Sequence, residues 1–166
     1  EELQKLKPVF KKDGTITAGS SSGVTDASSS VILAGEEKVK ELGLKPLARI
    51  RAFASAGVDP KEMGIAPVPA IRKLLGQTNL KLSDIGLIEL NEAFAAQVIA
   101  CDRELKLDRS KLNVNGGAIA LGHPTGCTGA RITTTLVHEM IKQDVLLGLA
   151  TLCISGGLGL ALLLER

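Results

Sequence analysis

Three side chains that can exchange protons or donate hydrogen bonds, Asn91, His123 and Cys153, each lie at the end of an apolar run that predicts a β-strand. An imidazole and a thiol can accept and donate protons, and an amide can hydrogen-bond to a developing negative charge. α/β proteins place reacting groups at the carboxyl ends of their strands. We therefore expect the three side chains to converge on one crevice and to form a catalytic site.

His123 occupies a turn built from glycine and proline. Gly122 and Pro124 flank the histidine, and Pro124 biases its backbone toward an extended conformation just before a predicted helix. The neighbouring residues are small, which leaves room beside the imidazole for a ligand. A single histidine is also often only a hydrogen-bonded polar residue, so the local pattern leaves both interpretations open.

Asn91 and Cys153 also have simpler interpretations. Asn91 can act only as a cap for the helix predicted to begin near Ala93, and a free cysteine is commonly a small buried apolar residue. The segment Ser155-Gly156-Gly157, with Gly159 two residues later, predicts a hairpin after Cys153. Such a hairpin exposes backbone N–H groups beside the thiol, which is the arrangement that an oxyanion hole requires.

Apolar runs and turn residues predict an α/β fold with the element order βαβαβαββ. The expected architecture is a mixed five-stranded sheet with helices on both faces, because strands that alternate with helices are joined by right-handed crossovers. The predicted strands are Ala48–Val58, Ile85–Leu90, Val114–Leu121, Val145–Ile154 and Leu158–Leu164. The predicted helices are Pro67–Leu75, Ala93–Leu105 and about Gly126–Ile141.

The composition argues against several classes of function. The 166 residues carry a net charge of +2, which is too small to indicate nucleic-acid binding. Only 2% of them are aromatic, which removes the stacking surface of single-strand binders. No apolar stretch has the length of a membrane span. The three cysteines lack close spacing and indicate free thiols in a reducing compartment, so we expect an intracellular soluble protein.

Residues 15–30 form a long stretch of small and mostly polar residues. This composition is typical of a flexible linker, but it also suits a loop whose small side chains let a ligand approach the backbone. The lysine-rich residues 1–14 end in the turn signal Asp13-Gly14 and predict a surface segment.

Three motifs surround the candidate residues. They are Asn91-Glu92-Ala93-Phe94, Gly122-His123-Pro124 with Gly126 and Gly129, and Cys153-Ile154 with Gly156, Gly157 and Gly159. Together these motifs resemble the active-site signatures of the thiolases. Further stretches similar to the family, in the right order, are Lys7-Pro8-Val9-Phe10, Thr17-Ala18-Gly19, Met63-Gly64-Ile65 and Pro67-Val68-Pro69-Ala70. Segments 7–19 and 113–124 are most similar to degradative, mitochondrial-type 3-ketoacyl-CoA thiolases, with acetyl-CoA acetyltransferases as close relatives.

The resemblance implies roles for individual residues. His123 would be the base that activates a thiol, Cys153 would exchange a proton with the acetyl-CoA carbanion, and Asn91 would stabilise an oxyanion by holding a water. The backbone N–H of Ser155 would stabilise a second oxyanion, although glycine is usual at this position. Coenzyme A and acyl-CoA would be substrates, with no covalently bound cofactor and no metal. The residues expected to contact them are Ala18, Ser22, Gly23, Met63, Ala93 and Phe94.

The resemblance also implies that the chain is only part of a thiolase. Residues 1–23 would form a loop region that ends in the coenzyme A loop, residues 24–43 the final strand and helix of an otherwise absent N-terminal half, and residues 44–166 a complete C-terminal domain. The family's nucleophilic cysteine belongs to the missing half, and neither Cys101 nor Cys127 matches its position. The missing half is therefore an expected partner, and the expected assembly is a homodimer or homotetramer.

The activity that the resemblance implies is thiolytic cleavage of a 3-ketoacyl-CoA, or the reverse Claisen condensation, in the bacterial cytoplasm or the mitochondrial matrix. A biosynthetic acetoacetyl-CoA thiolase and a non-catalytic thiolase-fold domain are alternatives, and the isolated chain is expected to be inactive. Two other interpretations fit the motifs less well. A zinc site formed by His123, Cys127 and Cys153 lacks a fourth ligand, and a phosphate-binding loop at Gly122–Gly129 lacks the Gly-Lys-Ser/Thr ending.

Overall fold

The computed structural model describes residues 1–166 and contains one mixed four-stranded β-sheet. Its strands are β1 Arg49–Gly57, β2 Leu87–Leu90, β3 Leu147–Ile154 and β4 Leu158–Glu165. They lie in the order β1-β4-β3-β2. β2 and β3 are parallel, whereas β4 runs antiparallel to both β1 and β3. The predicted mixed α/β fold is confirmed, with four strands instead of five.

The sheet is accompanied by five α-helices, which are α1 Glu36–Glu41, α2 Pro67–Thr78, α3 Ala95–Leu105, α4 Ala118–Leu121 and α5 Thr128–Lys142. Short 3-10 helices lie at Leu3–Lys5, Ala18–Ser20, Pro60–Ile65 and Leu82–Asp84. α2 begins at Pro67, whose fixed φ suits a first helical turn, and is followed by the C-cap residue Asn79 in the left-handed conformation. No helix combines the length and the apolar content needed to cross a membrane.

Helices cover both faces of the sheet, as predicted. Leu149 of β3 lies in the apolar cluster under α2 and α3, whereas Leu87 of β2 and Ala150 of β3 lie in the cluster under α5. The side chains of α5 that complete the second cluster are spaced four residues apart, as one face of a helix requires: Ile132, Leu136 and Met140. α5 packs on β2 and β3 and leaves the same face of β1 uncovered. Phe53 of β1 lies on this face and is 69% exposed.

The predicted strand at Val114–Leu121 is wrong. Asn113 and Gly116 adopt left-handed backbone conformations, with φ of 46° and 85°, and turn the chain before α4 begins. In this part of the chain, an isolated β-bridge joins Leu112, just before the predicted strand, to Ile88 of β2. The apolar residues of α4 suit a helix and a strand equally, and the turn before them prevents pairing along β2.

The side chain of Asn113 takes the place of a strand at the edge of β2. Its Oδ1 accepts a hydrogen bond from the Leu90 N–H at 2.9 Å, and its Nδ2 donates to the Leu90 carbonyl at 2.9 Å. Nδ2 also donates to Glu92 Oε1 at 3.0 Å. The backbone of β2 next to Asn91 is therefore satisfied without a fifth strand.

Residues 24–43, where the final strand and helix of the absent N-terminal half are predicted, contain a helix but no strand in this chain. Residues 24–34 form neither helix nor strand, and no backbone hydrogen bond joins them to another segment. A strand needs a neighbouring strand with which to pair, and the sheet of this chain offers none to these residues. The predicted helix of the segment is present as α1.

Candidate active site

Asn91 lies directly after β2, at the end of the sheet where the parallel strands β2 and β3 both finish. Its backbone N–H donates to the Thr151 carbonyl of β3 at 3.0 Å, and only 1% of the residue is exposed. Cys153 follows two residues after Thr151 and is 7% exposed. Because β2 and β3 run in the same direction, Asn91 and Cys153 lie at the same end of the sheet.

His123 reaches Asn91 through the turn between α4 and α5. Gly122 makes this turn with φ of 94°, a conformation that favours glycine, and the His123 N–H donates to the Gly23 carbonyl at 2.8 Å. The imidazole Nε2 lies 3.4 Å from Asn91 Nδ2, and Nδ1 lies 2.7 Å from Thr128 Oγ1. The structure therefore brings Asn91 and His123 into contact and holds the imidazole from both sides.

Burial determines the protonation of the two candidate acid–base groups. Desolvation lowers the pKa of His123 below its ordinary value, and the positive charge of Arg131 lowers it further. Burial raises the pKa of the Cys153 thiol above its ordinary value. At neutral pH the imidazole is thus a neutral proton acceptor and the thiol a protonated donor.

The turn Ser155–Gly157 joins β3 to β4 directly after the Cys153 strand. Gly156 and Gly157 have φ of 83° and 85°. A Cβ on Gly157 would overlap the Val58 carbonyl, whereas the glycine lets its own carbonyl accept the Val58 N–H at 2.8 Å. The Ser155 N–H donates to no group of the chain. It is therefore free to bind a ligand oxygen two residues beyond the thiol.

The loop predicted to contact coenzyme A lies against both turns that carry the site. Ser22 donates to the Ala93 carbonyl from its N–H at 3.0 Å and from its Oγ at 3.2 Å. Gly23 accepts the His123 N–H, as described above. Residues 22 and 23 are thus an ordered loop and not part of a free linker.

The remaining residues predicted to contact coenzyme A are more widely spread. Phe94 directly precedes α3, and its ring packs edge to face against Phe10 with the ring centroids 5.7 Å apart. Ala18 begins the 3-10 helix that ends at Ser20, and Met63 lies half-buried in the 3-10 helix before α2. No hydrogen bond links Ala18 or Met63 to the turns that carry His123 and Ser155.

The other two cysteines occupy packed positions. Cys101 of α3 is 0% exposed, its thiol donates to the Gly64 carbonyl at 3.4 Å, and burial raises its pKa to about 11. Cys127 directly precedes α5 and is 8% exposed. No group of three or more His, Cys, Asp or Glu side chains is arranged to hold a metal ion. The geometry gives no support to the zinc interpretation.

Family comparison assigns the motifs to one family. The model described as "Thiolase, C-terminal domain" matches residues 44–166, and that described as "Thiolase, N-terminal domain" matches residues 1–37. The chain belongs to the thiolase family. The residues that meet at the end of the sheet therefore lie in a thiolase fold.

Thiolases of known name are similar along this whole chain. An acetyl-CoA acetyltransferase of Allochromatium vinosum is 55% identical over 166 residues, which are 100% of this chain and 42% of the relative. The Bacillus anthracis acetyl-CoA acetyltransferase structure superposes with a TM-score of 0.96 at 55% identity, covering 99% of this chain and 42% of that one. The structure of human mitochondrial 3-ketoacyl-CoA thiolase in complex with CoA superposes with a TM-score of 0.92 at 50% sequence identity, and the coverage of both chains is the same. The chain spans less than half the length of these relatives.

Sequence reasoning missed several polar residues that support the thiolase site. Thr128 binds the far side of the His123 ring. Glu89 of β2 is 3% exposed and pairs with Arg131 of α5 at 3.6 Å. Glu92 accepts the Ile119 N–H at 3.2 Å. Glu89 could have been singled out from the sequence, because a carboxyl group inside an apolar strand must either be paired or stay protonated.

Proposed function

We propose that this chain is the C-terminal part of a thiolase that cleaves a 3-ketoacyl-CoA with coenzyme A, giving acetyl-CoA and a shortened acyl-CoA, or catalyses the reverse Claisen condensation. The observation that carries the proposal is the 3.4 Å contact between His123 Nε2 and Asn91 Nδ2, at the end of the sheet where Cys153 lies. Acyl-CoA is the proposed substrate, and the CoA complex of a structural relative supports it. No covalently bound cofactor takes part.

In the cleavage direction, the nucleophile is a cysteine of the N-terminal half. His123 Nε2 accepts the thiol proton, and the thiolate attacks the 3-keto carbon. The bond between C2 and C3 then breaks, with its electron pair going to C2 and the acyl group staying on the cysteine sulfur. Cys153 donates its proton to C2, which releases acetyl-CoA.

The second half of the reaction restores both acid–base groups. The sulfur of coenzyme A attacks the acyl-cysteine, and the shortened acyl-CoA leaves as the cysteine sulfur is expelled. Two thiolates then need protons, namely Cys153 and the expelled nucleophilic cysteine. The coenzyme A thiol and protonated His123 supply one proton each, so both thiols and the neutral imidazole are restored. Atoms and charges balance without an oxidant, a reductant or a metal.

Negative charge develops on a carbonyl or thioester oxygen in each stage. Asn91 Oδ1 is buried and has no hydrogen-bond partner within the chain, which suits a water that bridges Asn91 to such an oxygen. His123 Nε2, once protonated, can donate to the same oxygen. The free N–H of Ser155 serves the second oxygen, because donors placed beforehand stabilise the charge without reorganisation.

The proposed partner is the N-terminal half of the thiolase. Val24 and Ile32 are 99% and 95% exposed, and Phe53 of β1 is 69% exposed. Apolar side chains exposed to this degree over neighbouring segments mark a surface that is covered in the assembled protein. The complete subunits would then associate as a homodimer or homotetramer, in the bacterial cytoplasm or the mitochondrial matrix.

A biosynthetic acetoacetyl-CoA thiolase is the second candidate. The acetyl-CoA acetyltransferase relatives favour it, whereas the likeness to a 3-ketoacyl-CoA thiolase favours a role in fatty acid β-oxidation. Thiolysis rates for acetoacetyl-CoA and for a long-chain 3-ketoacyl-CoA, compared with the rate of acetyl-CoA condensation, separate the two.

Thiolysis by the chain alone, and by the chain joined to a thiolase N-terminal domain, tests the proposal. The chain alone is expected to be inactive, because no acyl-cysteine can form. In the joined protein, His123→Ala and Cys153→Ala should each lower turnover by about two to four orders of magnitude. Asn91→Ala should lower it by about one to three orders.

Two matched variants control for general damage. His138→Ala removes the other histidine and Cys101→Ala removes a thiol of the core, and both should keep near-normal turnover. Substantial thiolysis by the isolated chain would contradict the division between two halves. Full turnover of the joined protein with Cys153→Ala would contradict the role of that thiol and favour a non-catalytic domain.

A further inference from the structure

Thr128 is a fully buried hydroxyl residue in direct contact with the catalytic imidazole. It is the first residue of α5 and is 0% exposed. Its Oγ1 lies 2.7 Å from His123 Nδ1 and 3.0 Å from the Pro124 carbonyl. No other protein group lies within hydrogen-bonding distance of this hydroxyl.

The two contacts of Thr128 allow its hydroxyl to donate to the Pro124 carbonyl and to accept a proton from His123 Nδ1. A threonine hydroxyl has one proton, and the Pro124 carbonyl can only accept it. When the hydroxyl donates to Pro124, its oxygen lone pairs face His123 Nδ1, which must then carry the ring proton. In this arrangement the ring proton is on Nδ1, so the free lone pair of the neutral imidazole is on Nε2.

The contact on the opposite side of the ring agrees with this assignment. With the side-chain amide of Asn91 oriented as in the structure, its Nδ2 lies 3.4 Å from His123 Nε2 and can donate to an unprotonated Nε2. Asn91 itself is held by its backbone N–H to Thr151 at 3.0 Å. Contacts on opposite sides of the ring hold its plane, and the Nδ1–H tautomer satisfies both of them.

We propose that Thr128 is a positioning residue whose hydroxyl holds His123 as the Nδ1–H tautomer and directs the Nε2 lone pair beside Asn91. The consequence for catalysis rests on the proposed function, in which Nε2 accepts the thiol proton. The tautomer itself does not depend on that function. Free histidine in water favours the opposite tautomer, so the protein environment must impose this one.

Nitrogen NMR of the ring atoms in the 166-residue chain tests the tautomer directly. The chain has two histidines, so the exposed His138 is an internal reference, and His138→Gln assigns the signals. Above the pKa of the ring, His123 should show a protonated Nδ1 and an unprotonated Nε2. A His123 protonated at Nε2 in the unmodified chain would overturn the proposal without any substitution at Thr128.

Two substitutions separate the hydroxyl from the packing of its side chain. Thr128→Val keeps the branched shape and removes the hydroxyl, and it should shift His123 toward the Nε2–H tautomer. Thr128→Ser keeps the hydroxyl and should keep the Nδ1–H tautomer. An unchanged tautomer in Thr128→Val, or the same shift in both variants, would overturn the proposal. If Thr128→Val does not fold, Thr128→Ala removes the same hydroxyl without added bulk.

Kinetics of the joined two-domain protein give an independent measurement. Thr128→Val should lower kcat about 10- to 100-fold with little change in KM, and Thr128→Ser should restore it. Equal losses in both variants, or a loss confined to KM, would contradict a positioning role. Absence of thiolysis in the unmodified joined protein would refute the proposed function, whereas the NMR result would still decide the role of Thr128.

Discussion

Replacing the buried Glu89 with glutamine should change how the stability of the chain depends on pH. Glu89 lies on β2, is 3% exposed and faces α5, where Arg131 lies 3.6 Å away. Burial raises its pKa from 4.5 to about 7, and the neighbouring Glu92 and Glu139 add to this effect, although Arg131 opposes it. Much of the cost of burying this carboxyl is therefore avoided by keeping it protonated.

The magnitude follows from the difference between the folded and the unfolded pKa. Between pH 4.5 and about 7, Glu89 holds a proton in the folded chain and has lost it in the unfolded chain. The free energy of unfolding therefore falls as the pH rises, by up to about 1.4 kcal/mol per pH unit and about 3 kcal/mol over the whole window. The stabilisation is fully present below the unfolded pKa and is lost as the pH rises through the folded one.

Urea unfolding from pH 4 to 8 measures this effect, followed by circular dichroism because the chain has no Trp or Tyr. Glutamine cannot titrate, so Glu89→Gln should gain stability relative to the unmodified chain as the pH rises through the window. His123 titrates in both proteins and cancels in the difference. Glu36→Gln on the exposed helix α1 controls for the change in net charge. A difference between Glu89→Gln and the unmodified chain that stays constant with pH would refute the reasoning.

Two further predictions concern the sheet. Asn113→Ala removes both side-chain hydrogen bonds to Leu90 and places alanine at a positive φ. It should lower the free energy of unfolding by about 2 to 3 kcal/mol and speed hydrogen exchange at the Leu90 amide. Unchanged exchange at this amide would contradict the proposal that the Asn113 side chain takes the place of a strand beside β2. The chain should self-associate at micromolar concentration through its exposed apolar face, and Phe53→Lys should shift sedimentation toward the monomer. A monodisperse monomer before substitution would contradict this second prediction.

The elements that the sequence predicted correctly are those whose apolar pattern has only one interpretation. The runs that became β3 and β4 are long and separated by Gly156 and Gly157, and the helical spacing after Pro67 continues for three turns in α2. The segment Val114–Leu121 failed because its short apolar run fits either structure. Its outcome was decided by the backbone of Asn113, and a left-handed asparagine is not visible in hydrophobic periodicity.

The candidate site shows the same difference between local and long-range information. Asn91 could be placed at the end of the sheet from the strand that precedes it. The strand predicted before His123 is absent, and the imidazole instead reaches Asn91, at 3.4 Å, through the turn after α4. The partners that hold them could not be predicted in the same way. Glu89 meets Arg131 only because β2 and α5 pack together, and 42 residues separate them in the sequence. Such pairs depend on packing geometry, which a pattern of residue types does not contain.

The border between the two thiolase domains in the sequence is not a border within the site. Gly23 belongs to the segment that matches the N-terminal domain, yet its carbonyl holds the backbone of His123. Ser22 fastens the same segment to Ala93, beside Asn91. Each bond contributes only about 1 kcal/mol, but together they fix two turns that carry no regular structure of their own. The loop proposed to contact coenzyme A is thus also the loop that positions the proposed base, so substrate contacts and the geometry of His123 are mechanically linked.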